Sequence, residues 1–426
     1  MDKKLAGLQH LKDDFPKDFL WGASVATHQV EGGNTNQWTK WEHETAARQA
    51  ATAKRRLKRL PIWESIKSEA TNPLNYVSGR GVDHFHKYPL DFKLAGSLNF
   101  NAMRSGIEWS RINPSEGVFD VEAVEHYSEY FRTMRAEGLQ PLLNLFHWTV
   151  PQWFADMGGF EKRSNLKYWR DFVHTVVQNM DLSSVDYIIT INEANSFAGW
   201  GYVFAEFPPG EANFLKSLVV YKNLALAHRI AYKIIKAKYP DIQVGVAHQF
   251  QKAVGYGVTG KVLAWLELQY SNWWWMRKAK YHDFIGFNYY FTDYRRKLSL
   301  LADANPKEPL NDLGWYMEPS GIEWVIREVD KRYNGVPIIV TENGVADMND
   351  TYREWWLAET ITAMSNVLKD GIPLIGYLHW SLLDNFEWQF GWFPKFGLIS
   401  VNRSTMKRSV KRSAKAWARW LSSSSR

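Results

Sequence analysis

Two glutamates in this 426-residue chain occupy positions where an acidic side chain is costly. Glu193 closes the run YIITINE, and Glu342 lies in PIIVTENG, each directly after a β-branched stretch that reads as a strand. An unpaired buried carboxylate is expensive, so two of them at strand ends point to chemistry rather than packing. A pair of carboxyls suits cleavage of a glycosidic bond. The glycosidic oxygen is a poor leaving group, so one acid must protonate it as the bond breaks. The other must capture or stabilise the oxocarbenium-like carbon. Carboxyls about 5–5.5 Å apart give retention through a covalent glycosyl-enzyme, whereas wider spacing admits a water and gives inversion. Two identical side chains must then hold different protonation states, which only their surroundings can arrange.

The other apolar runs end in the same way. Gln29 follows FLWGAS, Arg104 lies within AMRSGIEW, and His147 and Trp148 follow QPLLNLF. His248 and Gln249 follow QVGVA, Asn288, Tyr289 and Tyr290 end FIGFNYY, and His379 and Trp380 end LIGYLHW. Asn343 and His248 read equally well as groups that cap a helix or fill a turn. With YIITINE and PIIVTENG these runs make eight predicted strands. Between them the apolar period changes to that of a helix. One stripe is Val124, Tyr127, Phe131 and Met134, ended by Gly138, and a second is Trp169, Phe172, Val173, Val176 and Met180. A third is Ile322, Val325, Ile326, Val329 and Tyr333, and a fourth is Leu357, Ile361, Met364 and Leu368, ended by Gly371. Eight alternating units predict an α/β fold, a (β/α)8 TIM barrel spanning residues 1–426 as a single domain with extended βα loops. In such a barrel the C-terminal strand ends build the active site. The polar stretch from Gly32 to Gly81 reads as an insertion after the first strand.

Composition agrees with a globular enzyme. Apolar residues are 45% and charged residues 23% of the chain. No apolar run is long enough to span a membrane, and the polar N-terminal stretch lacks a signal-peptide pattern. The expectation is a cytoplasmic protein with no membrane partner. Cysteine is absent, which excludes disulfides, thiolate metal sites and a cysteine nucleophile. The net charge of +7 comes mainly from Lys54 to Arg59, read as a loop, and from Arg403 to Arg419. In the latter run Val410, Ala414, Trp417 and Leu421 recur at helical spacing, so its bases read as the wet face of a last helix rather than a nucleic-acid surface. The 22 Trp, 20 Tyr and 23 Phe suit both a core and a cleft that stacks on sugar rings.

Taken in order, seven segments resemble the retaining β-glycosidases of glycoside hydrolase family 1. They are FLWGASVATHQVEG, DHFHKYPLDFKLAGSLNFNAMRSGIEWSRINPSEG, LLNLFHW, INEANSFAGWGY, FNYY, VTENGVAD and LHWSLLDNFEW. The resemblance covers nearly the whole chain. It implies that Glu342 is the nucleophile and Glu193 the general acid/base. It implies that Arg104, Tyr290 and Asn288 support the nucleophile, with Arg104 the cation that favours its carboxylate. Gln29, His147, Asn192, Tyr290, Trp380, Glu387 and Trp388 correspond to the sugar-binding pocket, with Asn192 facing the 2-OH and Trp380 as a stacking floor. It also implies a cis peptide after Trp380. An acidic Glu387 implies a neutral sugar such as glucose, galactose or fucose rather than a 6-phosphosugar. The implied substrates are small β-glycosides or oligosaccharides, with no cofactor and no metal.

Three departures bear on the side that receives the leaving group. Ala194 stands where the family usually has proline, and Lys395 where many relatives have arginine. The segment between the fifth and sixth strands is short and contains Trp273, Trp274 and Trp275, for which packing is the favoured reading over an aglycone site or a subunit contact. Gly255 to Gly260 matches a dinucleotide fingerprint after a strand, with Asp283 at about the right distance for a ribose-binding acid, but it falls in the barrel's fifth loop and Asp283 opens the next strand. His84 and His86 lack a third ligand at metal spacing, so structural hydrogen bonding is expected there. The leading expectation is an exo-acting, retaining β-glycosidase. The alternatives are a transglycosylase on the same scaffold and a non-catalytic sugar-binding barrel.

Overall fold

The computed structural model describes residues 4–295 and 309–422. All eight predicted runs form strands: Leu20–Ser24, Ala102–Gly106, Gln140–Asn144, Tyr187–Asn192, Gln243–Gln249, Phe284–Tyr289, Ile338–Asn343 and Leu374–Trp380. They pair in parallel, and the first closes on the eighth, as in Leu20 opposite Gly376. The molecule is a closed (β/α)8 barrel. Its inner layer takes one apolar side chain from every strand: Leu20, Ala102, Leu142, Ile189, Ala247, Phe284, Ile339 and Leu378. The barrel is therefore filled at that level, and only the strand ends above it are free to build a cavity.

The four predicted helical stripes lie on helices Val121–Ala136, Leu166–Asn179, Gly321–Tyr333 and Arg353–Lys369. Their apolar residues are buried against the barrel, apart from the half-buried Tyr333 and Leu368 at the ends. Gly138 and Gly371 both take φ +78°, the left-handed conformation that stops a helix at little cost to glycine.

The stretch from Gly32 to Gly81 is an insertion made of helices Gln37–Leu57 and Trp63–Ala70. Its neck is tight. The Gly33 amide donates to the Gly79 carbonyl at 2.8 Å and that of Val82 to Val30 at 3.0 Å. A Cβ on Gly32 would lie 1.9 Å from the Arg80 carbonyl oxygen, so only glycine fits.

Three expectations need correction. Lys54 to Leu57 are not loop but the last turn of the 21-residue helix, where cations suit the helix C-terminus. Val410 is not on the last helix. It ends a hairpin strand, Lys407–Val410, paired with Ile399–Asn402, and the helix runs Arg412–Ser422. The bases of that segment do not all face water. Arg408 is buried on Asp91, and Lys411 pairs with Asp384 at 2.8 Å. Arg412, Lys415 and Arg419 do form a solvated face opposite Ala414, Trp417 and Trp420. Among the described residues no helix is long and apolar enough to cross a membrane.

Candidate active site

A cavity of about 230 Å³ opens at the C-terminal ends of the barrel strands, with Glu193, Glu342 and Glu387 among its walls. Glu193 follows the last residue of the fourth strand and takes φ 42°. Its amide donates to the Ala247 carbonyl on the fifth strand at 2.7 Å, which turns the chain into helix Ala194–Tyr202. Left-handed backbone at a residue that is neither glycine nor asparagine is uncommon and marks a functional constraint. Ala194 is fully buried as the first residue of that helix.

The two carboxyls meet different neighbours. Glu342 is gripped from both sides: Arg104 on the second strand donates to Oε1, and the Tyr290 hydroxyl donates to Oε2 at 2.6 Å. Glu193 has no cation against it. Burial and the charge of Glu342 push its pKa up to about 7, opposed by hydrogen bonds from Asn288 and Ser196. Asn288 therefore sits differently from expectation. Its amide donates to Glu193 Oε1 at 2.6 Å and to Asn192 at 3.2 Å, and no bond to Glu342 is seen. The reason is local, since the Thr341 hydroxyl donates to Asn288 Oδ1 at 2.7 Å and so turns the NH2 group toward Glu193.

Arg104 also donates to Asn192 Oδ1 at 2.6 Å, so one guanidinium ties the two strand ends together. The Asn192 amide in turn lies 3.2 Å from His147 Nε2. Burial, then the charge of Arg104, holds the His147 ring well below its usual pKa, so it is neutral. On the opposite wall Gln29 donates to the Phe386 carbonyl at 2.5 Å and to Glu387 at 3.3 Å, while its own Oε1 is buried without a partner. Such an orphaned acceptor is costly unless a ligand hydroxyl satisfies it. Burial and Glu342 push Glu387 up to about 8. The Trp380–Ser381 peptide is cis, and the Trp380 ring lies 5.9 Å from that of His147, nearly parallel. Trp388 stands 5.0 Å from Trp148.

All eleven candidate site residues are thus brought to one end of the barrel. Sequence reasoning missed most of the outer wall, Trp200, Phe207, Phe291, Trp315, Phe390 and Phe396, and also Ser196, whereas Gln249 was placed at its strand end. Their one signal was aromatic residues in loops, which an aromatic-rich chain offers in many places. Among the described residues the cavity wall carries three carboxyls and neither Lys nor Arg.

The decoys resolve as structure. Trp273 and Trp275 are buried in the main core, and Trp275 stacks flat on His248 at 5.4 Å. His248 Nε2 donates to the Ser271 carbonyl, 2.7 Å away. Asn343 accepts from Trp356 at 2.8 Å and donates to the Tyr289 carbonyl at 2.6 Å. His84 lies 2.8 Å from both Asp91 and Tyr130, and among the described residues no group of metal-binding side chains exists. Gly255 and Gly260 press against each other, a Cβ on the first meeting the Gly260 carbonyl at 2.3 Å, so both glycines serve the packing of the helix on its strand. Asp283 is engaged by Tyr232 and Lys236. Lys395 donates to the Trp392 carbonyl at 2.5 Å, outside the cavity wall.

The model of the family described as Glycosyl hydrolase family 1 matches residues 11–280 and 275–425. Beta-glucosidase A of Acetivibrio thermocellus is 27% identical over 451 aligned residues, covering 94% of this chain and 96% of that protein. The chloroplastic galactolipid galactosyltransferase of Arabidopsis thaliana is 29% identical over 445 residues, covering 93% of this chain and 71% of its own length. Among solved structures, the beta-glycosidase from Pyrococcus horikoshii superposes with a TM-score of 0.83 at 28% identity, covering 96% of this chain and 94% of that one.

Proposed function

The chain belongs to glycosyl hydrolase family 1, and from that premise we propose that it is a retaining exo-β-glycosidase of the β-glucosidase type acting on neutral β-glycosides. The observation that carries this reading is the unequal setting of the two glutamates. Glu342, held by Arg104 and Tyr290, attacks the anomeric carbon. Glu193, whose pKa is pushed up to about 7 by burial and by the charge of Glu342, gives its proton to the departing oxygen in the fraction that carries it. A glycosyl–Glu342 ester results. Glu193, now ionised, then takes a proton from water as that water displaces the ester, which restores both groups. Asn192 is placed to bond the 2-OH, and Gln29 and Glu387 to bond the far hydroxyls of the same sugar, which makes the enzyme exo-acting. The neutral-sugar reading draws on the cavity wall, where among the described residues a 6-phosphate would meet three carboxyls and neither lysine nor arginine.

Turnover of aryl β-glycosides by the wild type, Glu193→Gln and Glu342→Gly tests the assignment. Each variant is expected to lose about 100-fold or more in kcat. NMR of the first-formed product should show the β-anomer. Full activity in both variants, or an α-anomer formed first, overturns the reading, and so does a preference for 6-phosphoglucosides.

A transferase reading uses the same glycosyl–Glu342 ester with an alcohol in place of water. The apolar outer wall favours it, since Trp200, Phe207, Phe291 and Trp315 suit an acceptor with an apolar body. It also draws on the Arabidopsis relative, whose name is that of a transferase. Product analysis with and without added acceptor separates the two.

A further inference from the structure

Helix Gly257–Leu268 turns its apolar side outward. Val258, Val262, Trp265 and Leu266 recur at helical spacing on one face and are 82%, 51%, 58% and 50% exposed. Tyr256, just before the helix, is exposed as well. The inward face holds Gly260, Ala264 and Glu267, the last gripped by Arg295 through two contacts of 2.6 Å. A helix on the surface of a water-soluble fold normally presents the opposite pattern. The patch continues through Tyr270 to Phe214, whose rings lie 5.9 Å apart, and to the exposed Leu215. Scattered exposed apolar residues mean little, but a contiguous patch marks an interaction site.

Two further observations say what covers it. The outward stripe carries one charged residue, Lys261, which is exposed and in no ion pair among the described residues, on a chain of net charge +7. The helix also lies close in the chain to the cavity residue Gln249. It packs on the ribbon of Lys252–Gly255 and Thr292–Arg295, whose strands begin just after the cavity residues Gln249 and Phe291.

We propose that helix Gly257–Leu268 seats on an anionic lipid surface. Trp265 and Leu266 enter the boundary between headgroups and acyl chains, and Lys261 stays among the headgroup phosphates. Tryptophan and leucine beside lysine suit such an interfacial helix. A second copy of the chain fits less well, because a two-fold contact would set Lys261 near its own mate between two cationic molecules. The expectation of no membrane partner came from the lack of a spanning segment, which concerns crossing a bilayer and not lying on one.

The test is co-sedimentation of the full chain with phosphatidylcholine vesicles, with and without phosphatidylglycerol, for the wild type and a Val262→Gln/Trp265→Gln/Leu266→Gln variant. Aryl glycoside turnover checks folding, since none of the three residues lines the cavity. The wild type should bind phosphatidylglycerol vesicles about tenfold or more better than the variant, with binding weakened by salt and turnover unchanged. Failure of the wild type to bind either vesicle overturns the proposal, as does equal binding by the variant. Light scattering that shows a dimer lost in the variant, without vesicle capture, would make the face a contact between copies instead.

Discussion

At the scale of single residues, the chemistry depends on making two glutamates unlike. The Arg104 guanidinium is bonded to Glu342 and to Asn192 but not to Glu193, whose pKa is raised by burial and by the charge of Glu342. In the proposed role Glu193 must carry its proton, so kcat/KM is expected to fall as pH rises through about 7, where that group titrates. A pH profile flat to well above that value would remove Glu193 as the acid. Asn288 supplies a sharper check. Its hydrogen bond favours the charged form of Glu193, so removing it raises the pKa. In Asn288→Ala the alkaline limb should move to higher pH, and a move to lower pH would show that another group is being titrated. Asn288 also shows what type and spacing cannot reveal. Its place at a strand end was legible, but its partner was decided by the Thr341 hydroxyl, on a strand 53 positions later.

At the scale of elements, the departures on the leaving-group side separate into packing and surface. The Trp273 to Trp275 triplet belongs to packing: Trp275 is fully buried between His248 and Tyr221. Trp275→Ala is therefore expected to cost about 3–5 kcal/mol of stability, read from denaturant unfolding. Its KM for an aryl glycoside should stay unchanged at a temperature where the variant is folded. A raised KM with little loss of stability would instead put the triplet in the aglycone site. Helix boundaries were legible where a glycine stop followed an apolar stripe, as at Gly138 and Gly371. The boundary at Val410 was not, because the same alternation serves a short strand and the turn before a helix, and only pairing with Ile399 decides between them.

At the scale of the whole molecule, burial of ionisable groups sets how stability responds to pH. Glu193 and Glu387 titrate near 7 and 8 in the fold, and Asp293 is likewise raised by burial and by Glu267. In the unfolded chain such carboxyls titrate near 4. Over the pH range between, the folded state holds protons that the unfolded state has lost. That stabilisation is fully present below the unfolded pKa and disappears as pH rises through the folded one. The buried His228 and His248 and the half-buried His126 titrate near 4, so their cost grows as pH falls through the ordinary histidine range, where the unfolded chain takes up protons that they refuse. From about pH 7.5 to 8.5, above the ordinary histidine range, the carboxyl effect dominates, and the melting temperature is expected to fall. Glu387→Gln should make that fall shallower. A melting temperature that rises over this range would contradict the burial of these carboxyls.

The order of strands and helices, the closed barrel and the end of it that carries chemistry were all determined by the sequence alone, because periodicity and the polar residue after each apolar run are local signals. So was the placing of Glu193 and Glu342 at strand ends, since each follows a β-branched apolar run. What only the tertiary structure decided is every property that depends on partners distant along the chain. It set which glutamate receives the cation, which one the Asn288 amide meets, and whether three tryptophans face substrate or core. It also turned the apolar side of helix Gly257–Leu268 to the outside. The hydrophobic period predicts that a helix has an apolar face, but the direction of that face is fixed by what the rest of the fold places behind it.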